Sequence, residues 1–330
     1  MSAPALLSLR RLTAAPGFAS LVTVGLLLAL FGLGGASYAG FASVQVLLNL
    51  LIDNAYLLVI AVGMSFVILS GGIDLSVGSV LALTTMLTGW LLQVAHWPPL
   101  LVLALVLLAG GLFGAAMGAL IHYFKLQPFI VTLAGMFLAR GLCFLVSINS
   151  ITIDEPLFVG LSQTQLHVPL LGGFVSPAAL IALAVLALGI WLAHWTGFGR
   201  AVYAIGGNEQ SALMMGLPVA RTKVLTYAFS GFCAALGGVL FSFYMLSGYG
   251  LHAQGTELDA IAAVVIGGTV LTGGYGYVAG ALSGVLTLGL IQTLIAFDGT
   301  LSSWWTKIVI GGLLFVFCLV QRLLALRAKP

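Results

Sequence analysis

The chain has 330 residues, 61% hydrophobic and only 6% charged, with a net charge of +3 and a mean hydropathy of +1.20. Soluble domains carry roughly 25% charged residues, so this composition excludes a soluble globular protein and requires an apolar solvent. No basic patch suits nucleic acid, and Cys143, Cys233 and Cys318 lie singly in apolar runs with no CxxC, which points to buried thiols and away from disulfide or metal chemistry.

In chain order, Arg10 and Arg11 precede an apolar run from about Leu21, and with no small-residue cleavage site following it the first helix is expected to stay as an anchor. A crossing takes about 20 apolar residues. By that rule ten spans are predicted, at 19–38, 44–69, 75–94, 99–121, 129–146, 176–194, 224–247, 258–271, 277–296 and 304–323. Placing the N-terminus inside puts Arg10, Arg11, Lys125, Arg200, Arg221, Lys223, Arg322, Arg327 and Lys329 on the cytoplasmic side, and Asp154, Glu155, Glu257 and Asp298 outside. The expected fold is therefore all-α: a polytopic membrane helix bundle of about ten transmembrane helices, a single domain over 1–330, with both termini cytoplasmic.

Two connections are long. The outer one, 147–175, is expected to pack as a short cap. The inner one, 195–223, holds the pair Gly206–Gly207 and then "NEQSALMMGL", which Asn208 can cap, Gly216 can end and Pro218 prevents from continuing, so a short helix at the cytoplasmic face is predicted. Gly110, Gly114 and Gly118, and again Gly280 and Gly284, recur every four residues, the spacing that lets helices in lipid approach closely.

The stretch "SGGIDLSVGS", residues 70–79, sets Asp74 after a long apolar run. A carboxylate at mid-bilayer costs roughly 2.5–3.5 kcal/mol. The favoured expectation is a turn at the inner membrane face, in which Gly71 and Gly72 reverse the chain while Asp74 and Ser76 cap the next helix. The alternative is a helix break within the membrane that lines a polar path. Asp53 and Asn54 interrupt span 44–69 and need a polar neighbour, and with Gln292 they are candidates for a pore lining. Glu257 and Asp259 are expected to complement a helix dipole, Arg140 and Lys307 to snorkel or pair with an acid, and Trp304 and Trp305 to join an interfacial belt. His96, His122, His167, His194 and His252 show no metal-ligand spacing, and no metal site is expected. "TGGYGYVAG" superficially resembles a potassium filter but sits between two spans of a single long chain. There is no phosphate-binding loop of the G-x-x-x-x-G-K-[ST] type, no G-x-S-x-G elbow and no H-E-x-x-H pair, so a catalytic role is not expected of this chain.

Three segments, "VGMSFVILSGGIDLSVGSV", "FGRAVYAIGGNEQSALMMGL" and "ELDAIAAVVIGGTVLTGGYGYVAGALSG", resemble the ribose/xylose-type permeases of bacterial ABC sugar importers. "LLNLLIDNAYLLVIAVGM" and "FDGTLSSWWTKI" are similar, more narrowly, to one of the two permeases of a galactofuranose importer; importers of fructofuranose or ribose are close alternatives. The resemblance implies a multi-pass protein of the bacterial inner membrane that moves a monosaccharide. It implies a second, homologous permease as heterodimer partner, a periplasmic sugar-binding protein, and a cytoplasmic ATPase with two nucleotide-binding domains. ATP and Mg would belong to that ATPase, with no cofactor in this chain. It further implies that Asn208, Glu209, Gln210, Ser211 and Gly216 form the element that meets the ATPase; Gln210 and Ser211 depart from the two alanines of the family's E-A-A…G pattern. Polarity within the spans makes Asp53, Asn54, Ser65, Thr132, Thr226, Ser242 and Gln292 the candidate translocation path, although many such groups bond their own helix backbone. An ion-gradient-driven secondary transporter is the rival reading, for which Asp53 would offer an intramembrane acid.

Overall fold

The computed structural model describes residues 18–169, 172–302 and 304–328, with the side-chain surroundings of 20–169, 172–302 and 304–319. The predicted cytoplasmic residues Arg10, Arg11 and Lys329 lie outside the described residues. Arg322 and Arg327 are described only by their place in the last helix.

The described chain is a helix bundle with almost no sheet. Its elements are α1 (Phe18–Ser37), α2 (Val44–Asp53), α3 (Ala55–Leu69), α4 (Val77–Gln93), α5 (Pro99–Tyr123), α6 (Pro128–Val146), β1 (Ile151–Thr152), α7 (Pro156–Gln163), β2 (Leu166–Val168), β3 (Gly173–Val175), α8 (Pro177–Trp195), α9 (Gly197–Gly207), α10 (Glu209–Met214), α11 (Val219–Met245), β4 (Ser247–Gly248), α12 (Thr256–Ile266), α13 (Gly280–Asp298) and α14 (Trp304–Ala328). Among the described residues six helices are long and apolar enough to cross a membrane alone: α1, α5, α6, α8, α11 and α13. The bent pair α2–α3 makes a seventh span if counted as one.

The centre is recognisable by what it lacks. In α3 every residue from Leu57 to Leu69 is buried, as is α12 from Ala260 to Ile266, so neither stretch has a polar face. Around them α5, α6 and α8 bury only part of their length and turn Leu100, Phe137, Leu145 and Trp195 outward, as lipid-facing helices do. The glycines predicted to pack helices do so. Gly118 of α5 lies against Val224 of α11, where an added Cβ would fall 2.9 Å from the Val224 backbone, and Gly110 and Gly231 meet along the same seam. Gly280 and Gly284 of α13 seat on Gly267 and Ala263 beside α12. Because α5 runs antiparallel to α11, Lys125, Arg221 and Lys223 gather at one end, called here the basic end, with Arg200 of α9. Asp154 and Glu155 follow β1, which pairs with β4 at the other end. There α7 and the β2–β3 hairpin pack over the helix tips, with the Phe158 ring 4.8 Å from that of Phe243.

Four predicted spans differ in form. Span 44–69 is two helices bent by 60° at Asn54, whose side-chain amide donates to the Leu50 carbonyl (2.9 Å) and holds the break. Span 75–94 begins only at Val77. Span 224–247 begins at Val219, straight after Pro218, and so shortens the inner connection. Span 258–271 is the 11-residue α12, about 16 Å long at 1.5 Å per residue and too short for a 30 Å core. Hydropathy is continuous through it, but the left-handed Gly255 (φ +82°) sets its start and Gly267–Gly268 ends it well short of 271, so irregular backbone flanks it on both sides.

Candidate functional site

The basic end is built from α9 and α10. Thr196 caps α9 by accepting from Gly199 N (3.2 Å), and Asn208 caps α10 by accepting from Ser211 N (2.8 Å). Gly216 (φ +74°) and Pro218 then stop α10, as the local residues predict. Glu209 pairs with Lys223 of α11 at 2.7 Å and fixes α10 to the bundle. Ala212 alone of this short helix is buried. Gln210, Ser211 and Gly216 face outward together with Leu213, Met214 and Met215, of which Met214 is 88% exposed. An apolar tip of this kind, beside an acidic helix start, is suited to a protein partner.

Behind this element lies a junction of glycines that sequence reasoning did not reveal. The last turn of α9 carries Gly206, where an added Cβ would collide with Leu69 O and Gly274 N, two groups already hydrogen-bonded to each other at 2.9 Å. Gly273 sits so close to Gly71 that a Cβ on it would fall 2.7 Å from the Gly71 backbone. Both residues occupy the left-handed region, at φ +83° and +82°, open to glycine at little cost. Two turns, 70–76 between α3 and α4 and 267–279 between α12 and α13, thus meet at the end of α9. They are alike in sequence: Leu69, Gly71, Gly72 and Gly78 of the first recur as Leu271, Gly273, Gly274 and Gly280 of the second. That recurrence was the available signal. Tyr203 of α9 ties the second turn by donating to Gly276 O at 2.8 Å, and burial raises its phenol to about 12.

Asp74 lies in the first turn and is fully buried. Its Oδ1 accepts from Ser76 N (2.9 Å) and Ser76 Oγ (2.6 Å), and its Oδ2 accepts from Ser230 Oγ (2.7 Å). The expected turn forms, with a difference. Ser76 is the N-cap of α4 but its side chain makes no cap bond, being spent on Asp74, and the carboxylate is enclosed by protein. Ser230 lies about 16 Å along α11 from Val219, so the acid is met well inside the bundle. The three donors explain how it is accommodated without a cation.

Most of the candidate path hydroxyls close on their own helices: Ser65 on Ala61 O (2.7 Å), Thr226 on Thr222 O (2.9 Å), Ser242 on Gly238 O (2.9 Å), and Thr132 on Pro128 O (2.9 Å) with a longer contact to Ile73 O. Asp53 is exposed, 3.5 Å from the Tyr244 hydroxyl, and Gln292 lines a cavity of about 460 Å³ with Thr306 and Lys307. Lys307 finds its acid in Asp259, at 2.6 Å. Arg140 finds two backbone carbonyls, Gly250 (2.6 Å) and His252 (2.8 Å). Glu257 and Asp259 both lie in the first turn of α12, as expected of acids that complement a helix dipole, and Glu257 also packs on Gly78 at the first turn of α4. Among the described residues no three His, Cys, Asp or Glu side chains come together as a metal site would require.

Residues 46–318 match the family described as branched-chain amino acid transport system / permease component. The chain is 54% identical over 285 residues to the inner membrane ABC transporter permease protein YjfF of Escherichia coli, covering 86% of each. It is 39% identical to the fructose import permease protein FruG of Bifidobacterium longum, covering 92% of this chain and 90% of that one. It is 40% identical to the ribose import permease protein RbsC of Bacillus subtilis, covering 84% of each. No solved structure matches.

Proposed function

This chain belongs to the branched-chain amino acid transport system / permease component family, and from that premise we propose that it is the membrane-spanning permease subunit of an ATP-driven importer that carries a monosaccharide across the bacterial inner membrane. It is a translocation component and not an enzyme. The cargo we assign is galactofuranose, on the motifs around Asp53–Asn54 and Trp304–Trp305. Fructose in its furanose form and ribose are the closest alternatives, since relatives at 39% and 40% identity are named for import of fructose and ribose.

The observation that carries the mechanism is the contact of α9 with both turns. An ATPase bound at Asn208–Gly216 would push on α10, and α10 continues α9 across Asn208. Gly206 then bears on Leu69 and Gly274 at once, so a small displacement reaches α3–α4 and α12–α13 together. ATP and Mg would act in that partner, favouring one arrangement of the bundle over another. A second, homologous permease completes a heterodimeric pore, and a periplasmic sugar-binding protein delivers cargo to the end capped by the 147–175 loop. In this reading 195–223 is the coupling loop, all of 1–330 is one permease domain, and both termini face the cytoplasm. A gradient-driven carrier would have no use for a short helix with an exposed apolar tip at the basic end.

Uptake in proteoliposomes tests the reading. With the second permease, the ATPase and the binding protein present, labelled galactofuranose should accumulate only when ATP is enclosed with the ATPase. Accumulation driven by an imposed ion gradient without ATP would overturn it.

A further inference from the structure

The chain between β4 and α12 runs without regular structure from Tyr249 to Gly255, and it does so beside the middle of the bundle. Gly250 packs on Cys143 and Phe144 of α6, while Ala253 and Glu257 pack on Gly78 of α4. Arg140 pins this segment through the Gly250 and His252 carbonyls. Arg140 is about 18 Å along α6 from Pro128 and about 9 Å from Val146, so the segment lies at membrane depth. Irregular backbone at that depth is tolerated only when protein covers it or when it borders water. Here Gln254 is exposed, and Arg140 and Glu257 are partly so.

These groups surround a cavity of about 170 Å³, lined by Ser79, Met136, Phe137, Arg140, Gln254 and Glu257 with the backbone of Gly255. That is the space of about six waters at roughly 30 Å³ each. Two of the lining groups have no protein partner: Ser79 Oγ, in a residue 0% exposed, and Glu257 Oε2. Polar atoms buried in this way normally find a partner. The first turn of α12 begins at the same place, its Leu258 and Asp259 N–H groups already donating to Gly255 O. Neither ion pair of the described residues involves this cluster.

We propose that this cavity is a contact site for a neutral polyhydroxyl ligand on its way through the permease, a step of the sugar import proposed above and dependent on that reading. Met136, with one edge of the largely outward-facing Phe137, presents an apolar wall to the C–H face of a sugar ring. Ser79 and Gln254 both donate and accept, Glu257 accepts from hydroxyls, and the part of the Arg140 guanidinium not spent on carbonyls donates to them. Carboxylate and guanidinium balance in charge, which suits an uncharged cargo. Loose, partly open walls suit a site that must also release it.

The test uses the full chain assembled with its partners in lipid nanodiscs, carrying S79C or, at the exposed rim, Q254C, and reads the rate of labelling by a small methanethiosulfonate reagent. The native chain, whose Cys143 and Cys233 are buried, provides the baseline. Galactofuranose, fructose, ribose and xylose are each added, with leucine as the control. At least one sugar should slow labelling threefold or more at either position, leucine should not, and E257Q in the same background should abolish the protection. Labelling that no sugar slows, or that leucine slows equally, or protection that survives E257Q, overturns the site. Wild-type uptake measured separately distinguishes the two proposals: sugar uptake without protection sinks the site alone, and protection without ATP-driven uptake sinks the importer reading alone.

Discussion

The two glycine turns share a pattern of residues and have opposite attachments. The first, 70–76, is held by the interior: Asp74 takes three hydrogen bonds, one of them from Ser230 on α11. The second, 267–279, has Gly276 where the first has Asp74, and its side-chain tether comes from Tyr203 on α9. One turn is thus fastened to the bundle and the other to the element that faces the cytoplasm. The difference suggests how a symmetrical-looking pair can respond unequally to a push from α9, the second turn following while the first resists.

Several substitutions break or sharpen that contrast. The largest effect is expected of G206V, which drives a branched side chain into both turns. ATP-driven uptake should be lost and the folded state weakened by about 3 kcal/mol or more, read as a fall in the thermal unfolding midpoint of the purified complex. D74A comes next. It leaves the Ser230 hydroxyl and Ser76 N–H without their acceptor and should cost about 2–3 kcal/mol, whereas D74N, which keeps an acceptor oxygen, should cost about 1 kcal/mol; equal losses from the two would mean that charge matters here and hydrogen bonding does not. Y203F cuts the second turn free at a cost of only about 1 kcal/mol in stability, yet should lower sugar moved per ATP severalfold while ATP hydrolysis continues. An unchanged ratio would remove Tyr203 from the coupling route. The smallest change belongs to K223A. Its pair with the partly exposed Glu209 is worth at most about 0.5 kcal/mol, and a double-mutant cycle with E209A should find no more.

What the sequence made legible follows the range of the interactions. The α10 stop signals are local, so Asn208, Gly216 and Pro218 could be read directly. Apolar runs announced the long helices α1, α5, α6, α8 and α13 to within a few residues. Asp53–Asn54 stood out in span 44–69 as a polar interruption, but that the chain bends there was not legible from it. Elsewhere pattern was silent. The partner of Asp74 is 156 positions away, and no periodicity connects them. The shortness of α12 was hidden because a helix buried on every side and an irregular buried segment are equally apolar. Polarity within a span also does not tell a hydroxyl that closes on its own helix, as those of Ser65, Thr226 and Ser242 do one turn back, from one such as Ser79 Oγ that finds no protein partner.

The seam between α5 and α11 has a consequence for motion. Where glycines bring two backbones into contact, sliding by a fraction of a residue would force main-chain atoms through one another. The pair should therefore travel as a single stiff rod, and Ser230, mounted on it, anchors the first turn to that rod. Spin labels at opposite ends of α5 and α11 would then keep one separation throughout the transport cycle, while labels on α9 and α13 would not.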